Sequence, residues 1–424
     1  MRPVVIVGGG MAGLACARVL HRQNIPFLLF EASHQPGGRV ATTVVDGYRL
    51  DAGFQVLHTA YPEARHALHY PSLHLQKFFP GAQVYRQGEW HLIADPWRKP
   101  LSAPATLAAR IGGVRDRLLL AQLVADVCLG MVESLFVRVD LTTRQRLEEF
   151  GFSADFINGF FRPFYGAVFL DPELGTSRRM FDFMFRMFAQ GDVTIPAKGM
   201  SMIPLQLRLA LPRHSLVFDT PVELIHPDQV KLADGRVVGA RAVVAAMDGD
   251  QASTMLGLPP VRFRATTTLY FTTATPPLGR PIIALDGDGT GPVNHLAVPS
   301  LISGEYAPAG RHLVACNCVG QAALVPDGPI ADSVMEQMTR WFGGQVADWK
   351  LLRIIRIRHA LPAQPPGWLE PVDRPTKLAS GVFIAGDYRS TSSIDGALRS
   401  GRLAAEAVLA WDGRGRLTRP RPER

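Results

Sequence analysis

"PVVIVGGGMAGLACARVLHRQ", residues 3–23, is the stretch on which the fold turns. Val4 to Val7 make a continuous aliphatic run, as a parallel strand covered on both faces requires. Apolar residues then recur at Met11, Leu14, Ala15 and Leu20, a helical spacing. Between the two lie Gly8, Gly10 and Gly13 in the order GxGxxG. Gly8 permits a tight turn, Gly10 lets backbone approach a pyrophosphate, and Gly13 lets helix and strand pack closely. The helix start, at Met11 and Ala12, offers unpaired amides and a positive dipole end to phosphates. "IPFLLFEAS" supplies a second strand ending in an acid, Glu31, eighteen residues beyond Gly13. A carboxylate there accepts hydrogen bonds from both ribose hydroxyls of an adenosine and repels a 2′-phosphate, so a dinucleotide with a free ribose is expected.

The bulk properties fit a globular chain. It has 424 residues, 47% hydrophobic and 19% charged, enough for a large core and more than one domain. Cys16, Cys128, Cys316 and Cys318 are too few for a disulfide framework, and Cys316 and Cys318 read as packed residues on one face of a strand. The net charge is +8, but half of it sits in "GRGRLTRPRPER" (413–424), which reads as a disordered, solvated end. No nucleic-acid motif accompanies the charge. The opening apolar run ends in glycines and not in a cleavage site, so no secretory leader is expected. "LLLAQLVADVCLGMVESLFV" (118–137) carries Gln122, Asp126 and Glu133 within about 40° of one another, with Arg115 on the same edge. It reads as a helix buried in a large domain, with contact to a membrane as the alternative.

Further motifs specify the dinucleotide. "EASHQPGGRVATTVVDGYRLDAGFQVL" puts Gly37 and Gly38 before Arg39 and then runs to Asp51, Ala52 and Gly53. Near the far end, "GVFIAGDYRSTSSIDGALRSGRLAAEAVLAW" reads as a strand, a turn at Gly386 and Asp387, a polar loop and an alanine-rich helix. Between them, "FDTPVELIHPDQVKLADGRVVGARAVVAAMD" reads as strand, turn, strand, and a last strand ending near Asp248. These runs resemble the FAD-dependent amine oxidase and phytoene desaturase superfamily. The resemblance implies FAD, with Gly38 and Arg39 at the pyrophosphate, Gly53 and Phe54 leading to the flavin, and Val222 against the adenine. It also implies Asp387, after Gly386, near the ribityl chain, and Ile394, Gly396 and Ala397 opening a helix whose positive end faces the flavin. A dipole there stabilises the anion formed when flavin accepts a hydride. The fold class expected is α/β: a Rossmann-like parallel sheet from residues 1–75, 190–255 and 365–424, with a discontinuous α+β substrate domain from 76–189 and 256–364.

The middle of the chain matches that superfamily only loosely. "RMFDFMFRMFAQ" crowds Met180, Phe181, Phe183, Met184, Phe185, Met187 and Phe188 together, either as core or as the wall of an apolar site. "PAKGMSMIPLQL" resembles the superfamily's proline-x-glycine-glycine-methionine element, with Lys198 where a glycine is usual. The amine-oxidising branch uses a lysine on a strand that matches "RATTTLYFTT", which has none, and an aromatic residue ahead of the closing helix, where "STSSIDGA" has none. The serine-rich loop looks more like the carotenoid desaturase, isomerase and squalene-precursor branches.

No acid–base or metal constellation is visible, and no metal is expected. "DGDGTG" (286–291) lacks a calcium loop's glutamate at the twelfth position, Ala297, and reads as a turn. His295 and His359 stand alone and read as structural. Gln55, near the flavin edge, and Lys198 are the candidates for a catalytic side chain; the flavin itself is expected to carry the chemistry. The expected function is hydride transfer from an apolar, isoprenoid or polyene-type small molecule to flavin N5. Alternatives are FAD-dependent isomerisation or dehydroxylation of a polyene precursor, porphyrinogen or amine oxidation, and a flavoprotein without catalysis. No nucleic-acid partner is expected; the expected location is the cytoplasm, either free or peripherally on a membrane. The sequence sets no oligomeric state.

Overall fold

The computed structural model describes residues 2–95 and 98–411; the basic stretch 413–424 lies outside them. Five parallel strands form a central sheet in the order Leu216–Val217, Phe27–Phe30, Val4–Val7, Ala242–Ala245, Phe383–Ile384. Val4 pairs with Ala242 on one side and Phe27 on the other, so the opening strand is central, and all four of its residues are buried. That is why it can be aliphatic throughout. The opening helix (Met11–Arg22) crosses back from it to the second strand. A small antiparallel sheet (Val222–His226, Gln229–Leu232, Val237–Gly239) follows, and Ala242–Ala245 then re-enters the parallel sheet.

A seven-stranded mixed sheet stands beside it, ordered Lys350–Pro362, Phe263–Thr273, His312–Val319, Val293–Ala297, Ile283–Asp286, Gly81–Arg86, Glu89–Ala94. Its strands come from residues 81–94 and 263–362, those of the parallel sheet from 4–30, 216–245 and 383–384. Cys316 and Cys318 lie buried on one of these strands, and all four cysteines are free. Asp286 opens a turn in which its carboxylate accepts from the amides of Asp288, Gly289 and Gly291 and from Gln337.

Two segments depart from the sequence reading. The apolar run 118–137 is not one buried helix. A helix (Val114–Cys128) ends at Leu129, whose backbone is extended, Gly130 turns the chain with φ +79°, and a short two-turn 3-10 segment (Val132–Val137) follows. Arg186 ties off the ends by donating to the carbonyls of Val127 and Gly130. Leu118, Leu129 and Met131 are exposed. The Met/Phe-rich helix (Arg178–Gln190), in turn, is buried even at its charges. Asp182 lies within it, fully enclosed, because Arg138, Arg146 and Arg178 all donate to its carboxylate.

Candidate cofactor and substrate site

One cavity of about 1300 Å³ runs from the glycine turn to the Met/Phe-rich helix. That exceeds the roughly 300–1,000 Å³ of an ordinary small-molecule pocket. At one end Gly8 donates to the Phe30 carbonyl at 2.8 Å and turns the chain with φ +107°; a Cβ there would lie 2.6 Å from the Ala246 carbonyl oxygen. A Cβ on Gly13 would collide with the Gly8 carbonyl, so both glycines are demanded by packing. Gly10 differs. A Cβ there would meet nothing within 4 Å, and the residue lines the cavity with ordinary φ of −70°. The open volume before Gly10 is room for a ligand, and it lies at a helix start with no side-chain cap and no acid in its first turn.

Glu31, at the end of the second strand, also lines the cavity. One carboxylate oxygen accepts from the Gly9 amide at 2.6 Å, the other from the Ser33 amide and hydroxyl at 2.8 and 2.7 Å. These bonds fix the group beside the glycine turn and leave lone pairs for further donors. Gly37, with φ +121°, donates to the Gly9 carbonyl and brings Gly38 and Arg39 to the same wall.

The chain's far end arrives opposite. Gly386 and Asp387 follow the last parallel strand, and Asp387 accepts from Arg39 at 2.7 Å. The closing helix (Ile394–Ala410) starts at the cavity, where Ser393 caps it by accepting from the Gly396 amide. Its first-turn acid, Asp395, is turned away to accept from the amides of Glu63 and Ala64. Burial there pushes the Asp395 carboxyl up to about 6. Gly401 decides how this helix sits: a Cβ on it would collide with the Ala12 carbonyl of the opening helix. The two helices touch backbone to backbone there, and both helix starts end at one cavity.

The other half is walled by Phe160, Phe164, Met180, Met184, Phe185 and Phe188, with Leu120 and Val124 from the 114–128 helix. Met180, Met184 and Phe188 share one helix face at a spacing of four. The Met/Phe helix is therefore both core and wall: Phe181, Phe183 and Met187 are also buried but do not line the cavity. His58 is one polar group set among these apolar residues, and Arg98, Arg117, Asp95 and Asp192 also line the cavity. The His58 ring packs on Tyr61 and Phe188, Nδ1 is buried without a hydrogen-bond partner, and burial pulls it down to about 3, so it stays neutral.

The structure gathers Gly8, Gly10, Met11, Ala12, Glu31, Gly38, Arg39, Gly53, Phe54, Val222, Gly386, Asp387, Ile394 and Ala397 around this cavity; Gly13 and Gly396 lie behind its wall. Gln55 lines it too, but its amide nitrogen donates to the carbonyls of Arg39 and Ala52, so it holds the loop in place. Lys198 is exposed and is not a lining residue. Gly199, with φ +100°, turns the chain so that the Met200 amide reaches Asp51 while Lys198 is left in solvent. His295 is buried edge-on to Phe54, and His359 meets Asp248 at 3.3 Å. The cavity-facing residue of the 263–273 strand is Thr266, whose hydroxyl donates to the Cys318 carbonyl. Among the described residues no three His, Cys, Asp or Glu are placed to share a metal. Sequence reading missed His58, Thr220, Asp250, Ser392 and Gly401. Of these, only Thr220 and Asp250 carried a signal, flanking the recognised Val222 and Asp248.

Residues 11–409 match the flavin containing amine oxidoreductase family. The chain belongs to that family. Its cofactor is accordingly FAD, and the open space before Gly10 between two helix starts fits a dinucleotide. Among relatives, coproporphyrinogen III oxidase of Staphylococcus aureus is 41% identical over 54 residues, 12% of each chain. Phytoene desaturase (lycopene-forming) of Pantoea ananas is 40% identical over 57 residues, 13% of this chain and 12% of the relative. These matches thus span about an eighth of either relative's length. An oxidoreductase from Methanosarcina mazei superposes with a TM-score of 0.76 over 95% of this chain and 100% of its own, at 16% identity, a likeness of fold.

Proposed function

We propose that this family member oxidises an apolar, isoprenoid or polyene-type substrate held in the Met/Phe-walled half of the cavity. The observation that carries the reading is the character of that half: aromatic and thioether side chains, with the neutral His58 among them. FAD, when bound, supplies the hydride acceptor. In this reading Gly10, Met11 and Ala12 bind the pyrophosphate through backbone amides, with Arg39 and Asp387 beside it. Glu31 holds the adenosine ribose, and Val222 flanks the adenine. Gly53, Phe54, Ile394 and Ala397 would hold the flavin, and the closing helix's positive end would support negative charge gained there. Phe164, Met184 and Phe188 orient an extended chain and exclude water, while Gln55 keeps the loop before Phe54 fixed.

Thr266 on the 263–273 strand and Ser392 and Ser393 before the closing helix argue against amine oxidation, since neither an ammonium nor an aromatic cage stands there. The phytoene desaturase match agrees with a polyene, and the coproporphyrinogen oxidase match names a competing class, the tetrapyrroles. The test is anaerobic mixing of the flavoprotein with isoprenoid polyenes, porphyrinogens and polyamines, each presented in detergent. Bleaching of the flavin band near about 450 nm by polyenes alone is expected. Bleaching by polyamines or porphyrinogens instead would assign that class.

A further inference from the structure

Asp395 is a buried carboxyl without a counter-ion beside the cofactor half of the cavity. It is the second residue of the closing helix, between Ile394 and Ala397, both of which line the cavity. Its backbone therefore stands within one helical turn, about 5.4 Å of rise, of the cavity wall. The side chain itself is not a lining group and is only 3% exposed. One oxygen accepts from the amides of Glu63 at 2.8 Å and Ala64 at 3.0 Å. Those amides open the short helix Pro62–Ala67, which receives no side-chain cap from its own preceding residue, Tyr61.

The cations around Asp395 are engaged elsewhere. Arg399, one turn further along the closing helix, holds Asp373 at 2.9 and 2.6 Å. Arg402 holds Glu63 at 2.7 and 3.0 Å and Glu406 at 2.8 Å. Arg65 donates to the Thr59 carbonyl at 2.8 Å. Tyr61 and Tyr70 also face Asp395, and burial raises both phenols, so they stay neutral. Asp395 forms no ion pair among the described residues.

The bonds to Glu63 and Ala64 fix where the closing helix begins. The short helix they open follows Tyr61, which lines the cavity, packs on His58 and donates to the Met184 sulfur at 3.5 Å. Asp395 thus joins the cofactor end of the cavity to its Met/Phe wall. When ionised, it places a negative charge against the positive end of the closing helix, in a buried position that salt screens little. Protonation removes that charge and leaves an oxygen able to accept. Because burial raises the carboxyl to about 6, the charge is largely absent at pH 5 and present at pH 8.

We infer that Asp395 is a positioning residue for the flavin: its two hydrogen bonds fix the start of the closing helix, and its charge lowers the flavin's reduction potential. The inference rests on the flavin placement of the proposed function and not on its substrate class. The experiment measures the midpoint potential of the bound flavin by dye equilibration at pH 5 and pH 8, and the release of FAD from the holoprotein on dilution. Asp395→Asn keeps an acceptor for the two amides and removes the charge. Its FAD affinity should stay within about threefold of the wild type. At pH 8 its flavin should be about tenfold easier to reduce, about 30 mV for a two-electron couple. At pH 5 the two potentials should agree. The flavin's own pH dependence, and that of Asp51, cancel in the comparison. Asp395→Ala removes both charge and acceptor, so it should show the same shift and hold FAD at least about tenfold more weakly.

Wild-type potentials in both variants at pH 8, a shift of equal size at pH 5 and pH 8, or an Asp395→Ala protein that holds FAD as tightly as the wild type would each overturn the inference. Ala397→Asp, which puts a carboxylate in the cavity wall, separates the two ways of failing. A lowered potential or lost flavin there, with no shift in the Asp395 variants, would keep the flavin placement and overturn the role of Asp395. No effect at either position would overturn the placement as well.

Discussion

Arg39 and Asp387 stand 348 residues apart in sequence and meet at 2.7 Å in the cavity wall. The pair joins the glycine loop after the second strand to the turn after the last one. Arg39 also donates to the Ala360 carbonyl at 2.9 Å, which ties in the edge strand of the mixed sheet. Asp387 is almost fully buried, and its carboxylate accepts from Arg39 and from the Tyr388 amide. Arg39→Ala should therefore lower stability by about 3 kcal/mol and reduce the flavin retained on purification. The check is a thermal melt together with the ratio of flavin to protein absorbance. An unchanged melt would remove the pair from the structural account.

Gly10 and Gly13 should fail differently. Gly10→Val leaves the backbone unstrained and its Cβ meets no protein atom within 4 Å, so the protein should fold with a near wild-type melting temperature but retain little FAD. Gly13→Val drives a side chain into the Gly8 carbonyl and should not fold. Gly401→Leu, by forcing the two cavity helices apart, should resemble Gly13→Val. Full flavin content in Gly10→Val would contradict the placement of the pyrophosphate.

Two sets of buried groups should oppose each other as pH rises from about 4 to 7: the carboxyls of Asp51 and Asp395 lose stability, while the rings of His58 and His295, held down to about 3, gain it. Burial pushes the carboxyl of Asp51 up to about 6, despite bonds from Thr42, Met200 and Tyr306, and Asp395 likewise. The folded chain thus holds these protons more tightly than the unfolded one. Their contribution is full below the ordinary carboxyl value of 3.8 and is lost as pH climbs through about 6. A shift of that size corresponds to at most about 3 kcal/mol per group. Denaturant melts should show Asp51→Asn gaining on the wild type as pH rises from about 4 to 6, because it removes one of the declining contributions. A difference between the two that stays constant with pH would place the effect elsewhere.

His58→Phe should not destabilise the protein, since it removes a buried ring nitrogen that has no partner. A gain of up to about 1 kcal/mol is expected, with FAD content unchanged. The pH profile of flavin reduction should show no step from His58 near neutrality, because burial holds the ring neutral down to about 3. A step near pH 6.5 that disappears in the variant would show a solvated, titrating ring.

Much of the dinucleotide half was legible in the sequence because its constraints are local. A strand covered on both faces must be aliphatic, so Val4–Val7 could be recognised without a partner. Gly8 needs its positive φ, and Glu31 ends the next strand at a fixed distance. The Gly386–Asp387 turn and the helix from Ile394 were legible for the same reason. Lys198 shows the limit: a motif position names a residue, but the turn at Gly199 decides which way it faces.

What the sequence determined by itself was a dinucleotide fold and its glycines, since backbone sterics and strand burial act over a few residues. Only the tertiary structure decided that Met180, Met184 and Phe188 face a cavity while Phe181 and Phe183 face the core. It alone joined Arg39 to Asp387 and set Gly401 against Ala12. It also turned the apolar face of the 114–128 helix outward, where periodicity had expected burial. Helical spacing reports that a face is apolar. What that face meets depends on chain segments far away in sequence, and spacing carries no record of them.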